Sequence, residues 1–159
     1  MINDLIIFLA SYLVFVELGL ALGYILKVIP QKAWPKYLFI IIVAGLLALL
    51  LAHIAGLLFY DTRPYIELHK VAIVKAAHDN GFPSDHMLLA ATIASIVFLK
   101  SKTFGLFLWL LAILVGLGRI LALVHHPIDI IASAVIAIVA TVIAYYASYI
   151  LPKSSLSKL

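Results

Sequence analysis

The sequence predicts an all-α, polytopic transmembrane bundle of five spanning helices, with a short amphipathic helix lying at the membrane interface. Three observations predict it. Of 159 residues, 66% are hydrophobic and 11% charged. A water-soluble domain carries about a quarter charged residues, so much of this surface faces something other than water. The apolar residues gather into five long runs. None of those runs alternates with a period of two, which removes a membrane β-barrel and leaves helices.

The first run extends from Leu5 to Leu26 and is interrupted only by Glu17. It is too long for a cleaved leader and lacks the basic start of one. The second covers Tyr37 to Phe59, with His53 near its far end, and the fourth covers Phe104 to Val124. The fifth runs from Ile128 to Leu151. Each of these four meets the ~20 residues that cross a hydrocarbon core of about 30 Å. The third begins at Ser84 or His86 and reaches Leu99, roughly 15 residues or about 22 Å of helix. It is either a core helix that does not span, or a span whose first turn is sunk beneath the outer surface. The second option puts "PSDH" at membrane depth, where irregular backbone persists only when buried in protein or lining a polar cavity. Residues 1–151 thus read as one transmembrane domain and 152–159, "PKSSLSKL", as a loose tail.

Between the second and third runs, "YIELHKVAIVKAAHDN" places Ile66, Ile73, Val74 and Ala77 at helical spacing. This predicts the interfacial amphipathic helix, as a plain connector or as a lid over a lipid-access surface. Lysines set the orientation. Lys27, Lys32 and Lys36 lie in the first loop, Lys100 and Lys102 in the third, Lys153 and Lys158 in the tail, and no acidic residue joins them. By the positive-inside rule these regions, including the carboxy terminus, are cytoplasmic. The loop from Tyr60 to Pro83 and the turn around His125 then face outward.

Cysteine is absent, which excludes disulfides, thiolate metal sites and cysteine nucleophiles. The net charge of +4 is spread too thinly for a nucleic-acid groove, and no basic-aromatic cluster accompanies it. Polar residues concentrate instead in three clusters at predicted outer helix ends: "DTRP" (61–64), "FPSDH" (82–86) and "GRILALVHHPID" (118–129). Polar groups in membrane segments are costly and mark function by default.

In "FPSDH", Pro83 discourages helix before it and Ser84 suits an N-cap. The first-turn amides of Asp85, His86 and Met87 are then free to hold an anion. The plainer reading is a well-capped helix with Asp85 in its first turn. In "GRILALVHHPID", Pro127 fits the first position of a helix, and Asp129 lies four residues past His125. Its carboxylate can accept from one imidazole nitrogen and leave the other as an oriented base. Arg119 precedes His125 by six residues. Here the plainer reading is a snorkelling arginine, a capping aspartate and two interfacial histidines, and His126 is read as an interface residue. Arg63 of "DTRP" read alone is a solvated loop charge. Two arginines aimed at one helix start, however, present forked donors suited to phosphate oxygens. With one histidine as nucleophile and one as general acid, the set describes phosphoryl transfer without metal or cofactor.

Together these stretches resemble the three-part signature of the type-2 phosphatidic-acid phosphatase superfamily of membrane lipid phosphatases, KxxxxxxRP, PSGH and SRxxxxxHxxxD. The matching segments read "GLLFYDTRP", "PSDH" and "GRILALVHHPID", spanning Gly56 to Asp129. The resemblance implies His125 as nucleophile through a phosphohistidine, Asp129 as its orienting partner and His86 as general acid. It implies Arg63, Arg119, Ser84 and the amide of Asp85 as phosphate ligands, with no metal and no cofactor. Three positions depart from the signature. Gly56 stands where a lysine is expected, with His53, Lys70 and Lys75 as possible replacements. Gly118 stands for serine, and Asp85 for glycine, where its carboxylate opposes a phosphate unless it points away or pairs with an arginine. "PSDH", "YDTRP" and "HHPIDI" are also similar to bacterial undecaprenyl-diphosphate phosphatases of this superfamily. That implies a plasma-membrane enzyme working on a polyprenyl diphosphate from the outer face. Phosphatidic acid, phosphatidylglycerophosphate, or binding of a lipid phosphate without catalysis are the alternatives.

Overall fold

The computed structural model describes residues 1–150; the tail at 152–159, with Lys153 and Lys158, and the last residue of the fifth run lie outside the described residues. Six helices account for the secondary structure, and no strand occurs among the described residues. Helix α1 (Ile2–Val28) is continuous but carries a π-helical turn at Phe8–Tyr12. Glu17 does not break it: the side chain is 0% exposed, with neither carboxylate oxygen partnered. Helix α2 (Trp34–Leu58) is entered through a 3-10 turn at Gln31–Ala33, with Pro35 in its first turn where no amide partner is lost. A single helical turn, α3 (Pro64–Glu67), precedes α4 (Asp85–Phe98), α5 (Lys102–Leu121) and α6 (Pro127–Ile150). Ser101 caps α5, its Oγ accepting from the amide of Phe104 at 3.3 Å.

Four stretches, Ile2–Val28, Gln31–Leu58, Lys102–Leu121 and Pro127–Ile150, are long and apolar enough to cross a membrane. All five expected helices form, but α4 has 14 residues, about 21 Å of rise, and falls short of the span length. It is instead the hub, packing against α1, α2, α5 and α6. Nine of its residues are buried, from Met87 to Val97. Small side chains permit this. Ala90, Ala91 and Ala94 of α4 meet bundle interiors formed by Ala44, Ala48 and Ala52 of α2, Ala112 of α5, and Ala137, Ala140 and Ala144 of α6. In lipid, where apolar transfer gives helices no reason to associate, such close backbone approach supplies the packing.

The expected amphipathic helix is not formed. Helix ends at Glu67, and His69 adopts the left-handed conformation at φ 51°. The backbone then pairs with the α5–α6 turn: the Tyr65 amide donates to the Leu123 carbonyl at 2.9 Å and the Ile73 amide to that of Ala122 at 3.2 Å. The Tyr65 hydroxyl donates to the Ala77 carbonyl at 3.0 Å. Tyr65 and Val74 bury against Ala10, Ala122 and Val124, with Ile66 and Ile73 beside them. Ile66, Ile73 and Val74 of the expected stripe therefore pack inward as a strapped loop, while Ala77 is exposed. Tertiary hydrogen bonds have outcompeted local helix.

Candidate active site

The carboxy ends of α2 and α5 and the amino ends of α4 and α6 meet at one end of the bundle. They enclose a cavity of about 560 Å³ lined by, among others, Arg63, Asp85, His86, Arg119 and His125. Of the seven expected site residues, those five line the cavity. Ser84 and Asp129 stand behind its wall, each 0% exposed.

His125 is the best-determined member. Its Nδ1 lies 2.8 Å from the Gly81 carbonyl and 3.2 Å from Asp129 Oδ2. Both oxygens can only accept, so Nδ1 carries the proton and Nε2 the lone pair. That Nε2 sits 3.5 Å from Arg63 Nη1 and 3.5 Å from Arg119 Nη2, which places it where an anion held by both guanidiniums would present its central atom. Burial, and then the two guanidiniums, push the His125 imidazole below its usual range, although the Asp129 carboxylate pulls the other way. The shift favours the neutral ring, the form a nucleophile requires.

Each arginine is fixed by backbone as well. Arg119 donates to the Ala10 carbonyl at 3.3 Å, inside the π-helical turn of α1, and its Nε is buried without a partner. Arg63 donates to the Val124 carbonyl at 3.0 Å, and its Nε and Nη2 hold Asp79 Oδ1 at 3.0 and 2.8 Å. Ser84 occupies the N-cap position of α4, yet its Oγ caps nothing and is buried unpartnered. The expected cap hydrogen bond is absent, which leaves the hydroxyl uncommitted. Asp85 is exposed and pairs with neither arginine; it sits where the cavity meets an apolar crevice between α2 and α4, lined by Gly45, Ala48, Leu49, Leu88, Leu89 and Thr92. The two spaces share Leu49 and Asp85.

Several residues enter that the sequence reading did not single out. Asn80 uses all its hydrogen-bonding capacity. Its Nδ2 donates to the Gly56 and Phe59 carbonyls, and its Oδ1 accepts from the Asp61 and Phe82 amides, each at 2.9 Å. It thereby ties the end of α2 to both "DTRP" and "FPSDH". His126 is more than an interface residue: Nδ1 lies 2.8 Å from Asp61 Oδ2 and Nε2 3.4 Å from Glu67 Oε2. Its amide donates to Asp129 Oδ2 at 2.8 Å. Asp61, His126 and Asp129 offer ligand atoms within 4.8 Å of one another, close enough for a cation. Asp61 and the His126 ring already pair, however, and Asp129 Oδ2 is taken by His125 and the His126 amide, while Asp129 Oδ1 is buried without a partner. A cation there would compete for the carboxylate that holds His125. An Asn-Gly pair at 80–81 was the one local signal of a turn.

Two of the three departures from the signature, Gly56 and Gly118, sit at close backbone contacts. A Cβ on Gly56 would stand 3.0 Å from the Phe82 carbonyl, and one on Gly118 would stand 2.7 Å from the Ala10 amide nitrogen and from Leu9 Cβ. Both glycines permit backbones to approach.

Fold and site thus define a multi-pass, all-helical membrane protein with a cationic, histidine-bearing cavity at one end. The PAP2 superfamily model matches residues 33–152, and the chain belongs to that superfamily as a PAP2-type lipid phosphatase. It is 32% identical over 149 residues to the bacitracin transport permease protein BcrC of Bacillus licheniformis, covering 92% of this chain and 71% of that protein. It is 28% identical over 97 residues to the undecaprenyl-diphosphatase BcrC of Bacillus subtilis (strain 168), covering 61% of this chain and half of that one. The crystal structure of Aquifex aeolicus LpxE superposes with a TM-score of 0.71 at 28% identity, covering 89% of this chain and 86% of the other.

Proposed function

We propose that the protein hydrolyses a polyprenyl diphosphate, such as undecaprenyl diphosphate, to the monophosphate and free phosphate through a phosphohistidine. The observation that carries this reading is His125 Nε2 lying 3.5 Å from both Arg63 and Arg119. The guanidiniums and the free first-turn amides of α4 bind the terminal phosphate, and the Ser84 hydroxyl, buried behind the wall without a partner, turns toward it once it is bound. Nε2 attacks its phosphorus, and the bridging P–O bond breaks as His86 passes a proton to the departing lipid monophosphate. Burial, and then the Arg119 and His125 charges, push this imidazole down to about 4, so it takes up that proton together with the anion. Water then gives its proton back to His86 while its oxygen displaces His125 from phosphorus. Asp129 and the Gly81 carbonyl hold the imidazole in the attacking tautomer throughout. No metal takes part. The lipid tail leaves the cavity through the crevice between α2 and α4. The site faces the cell exterior, opposite the ends that carry Lys27, Lys32, Lys36, Lys100 and Lys102.

The test is phosphate release from a polyprenyl diphosphate by the purified protein in detergent with chelator present. Turnover persists in chelator, and His125→Ala lowers it by more than about a thousandfold. Full turnover by His125→Ala would end the mechanism. The permease name of one relative motivates a second reading, lipid-phosphate binding or transport without hydrolysis. Saturable binding with no phosphate release from any lipid phosphate would select it.

A further inference from the structure

We infer that Lys75 supplies the cation that Gly56 cannot, and that it holds the second phosphate of a diphosphate ester, the one that stays with the lipid. The inference rests on reading the cavity as a lipid-phosphate site and adds a preference for diphosphates over monophosphates.

A Cβ at position 56 would meet the Phe82 carbonyl at 3.0 Å, a tight contact that asks this backbone to give by a few tenths of an ångström. Besides the contact with the Phe82 carbonyl, a Cβ there would lie 3.8 Å from Asn80 Nδ2 and from Pro83 Cδ. The Gly56 carbonyl is itself bound by Asn80. Residue 56 carries no side chain, so any cation beyond the two arginines comes from elsewhere on the wall.

Lys75 and His53 both line the same cavity, and Lys75 is the one lysine among its described lining residues. Lys70, five residues earlier, does not line it. Both arginines converge on His125 Nε2 and so serve the reacting phosphate. At about 560 Å³, the cavity falls within the roughly 300–1,000 Å³ of small-molecule sites, leaving room beyond that phosphate. Lys75 is exposed and forms no ion pair among the described residues, because the nearby Asp79 is taken by Arg63. Its backbone is not loose. Val74 is buried, Ile73 is bonded to Ala122, and Ala77 accepts from the Tyr65 hydroxyl. A four-carbon stem on an anchored loop brings a mobile point charge over the cavity, suited to a phosphate whose position varies with the lipid. When the bridging bond breaks, charge grows on the departing phosphate, and an ammonium there favours departure.

The experiment measures binding of inorganic pyrophosphate and inorganic phosphate by calorimetry to the wild-type protein and to Lys75→Gln, Lys75→Arg and Lys70→Gln. Lys75→Gln weakens pyrophosphate by about tenfold and phosphate by less than about threefold, as loss of one charged hydrogen bond dictates. Lys75→Arg restores most of the pyrophosphate affinity, and Lys70→Gln leaves it at the wild-type value. Equal loss for both anions, no loss for either, the same loss in Lys70→Gln, or a wild-type protein with no preference for pyrophosphate would each overturn the assignment. Hydrolysis assays separate this from the proposed activity. If the wild type releases no phosphate from polyprenyl diphosphate but the binding pattern holds, the activity fails and the lysine stands. If the wild type hydrolyses it and Lys75→Gln keeps the same diphosphate-to-monophosphate ratio, the lysine fails and the activity stands.

Discussion

At the level of single residues, the proposed chemistry is concentrated on one imidazole and the groups that fix its proton. In that proposal His125 acts only when neutral. Burial and the flanking guanidiniums lower its proton affinity, so the acid-side inflection of kcat/KM, which reports the free enzyme, falls below the imidazole's usual 6.5. Asp129 is the group that raises it. Asp129→Asn therefore moves the inflection further to acid while lowering the rate by about a hundredfold or more, because the ring is no longer held in the attacking tautomer. A pH–rate profile of both proteins checks this, and an inflection at or above 6.5 in the wild type counts against the neutral nucleophile. This part of the site was legible in the sequence because local geometry imposes it. A carboxylate four residues past a histidine, with proline opening the next helix, leaves few arrangements. Asn80, Asp79 and Gly81 were not legible, since apart from the Phe82 amide their partners lie 16 to 44 positions away in sequence and nothing in a polar loop specifies which carbonyls or side chains it will meet.

Among the elements, the contact between α1 and α5 decides where Arg119 points. The π-helical turn at Phe8–Tyr12 offers the Ala10 carbonyl to that guanidinium, and π turns recur where a helix serves a site. The sequence read Gly118 as a serine lost from the signature. The structure gives it a different meaning, since the adjoining helix leaves no room for a Cβ. Restoring the signature by Gly118→Ser should thus harm this protein. It forces α1 and α5 apart, costs about 1–3 kcal/mol of overpacking, and displaces Arg119 from His125. Thermal unfolding in detergent and turnover should fall together; a variant as stable and active as wild type would refute the close-packing account. The helices themselves were legible from apolar run length alone. What the pattern could not disclose was α4's role, because a short buried helix and a sunken span share one composition. Nor could it disclose the fate of residues 65–80, whose helical spacing was real but whose backbone found better partners on the α5–α6 turn.

For the molecule as a whole, the argument turns on two opposed ends. Lys27, Lys32 and Lys36 cluster where α1 gives way to α2, and Lys100 and Lys102 where α4 gives way to α5. The cavity lies at the other ends of the same helices. By the positive-inside rule these lysines, with no acidic residue among them, predict a cytoplasmic end, whereas the strap at residues 65–80 mixes Lys70 and Lys75 with Glu67 and Asp79. In the proposed orientation the cavity, the strap and the α5–α6 turn therefore lie outside. The absence of cysteine makes this directly measurable. Val71, 91% exposed on the strap, and Lys32, exposed in the first loop, each accept a cysteine without disturbing a packed contact. In intact cells a membrane-impermeant maleimide labels Val71→Cys, and it labels Lys32→Cys only after permeabilisation. The reverse pattern would place the cavity on the cytoplasmic side. The anion cup and its histidine would keep their geometry, but the substrate would then have to reach them from the inner leaflet, and the outer-leaflet diphosphate would no longer be their partner.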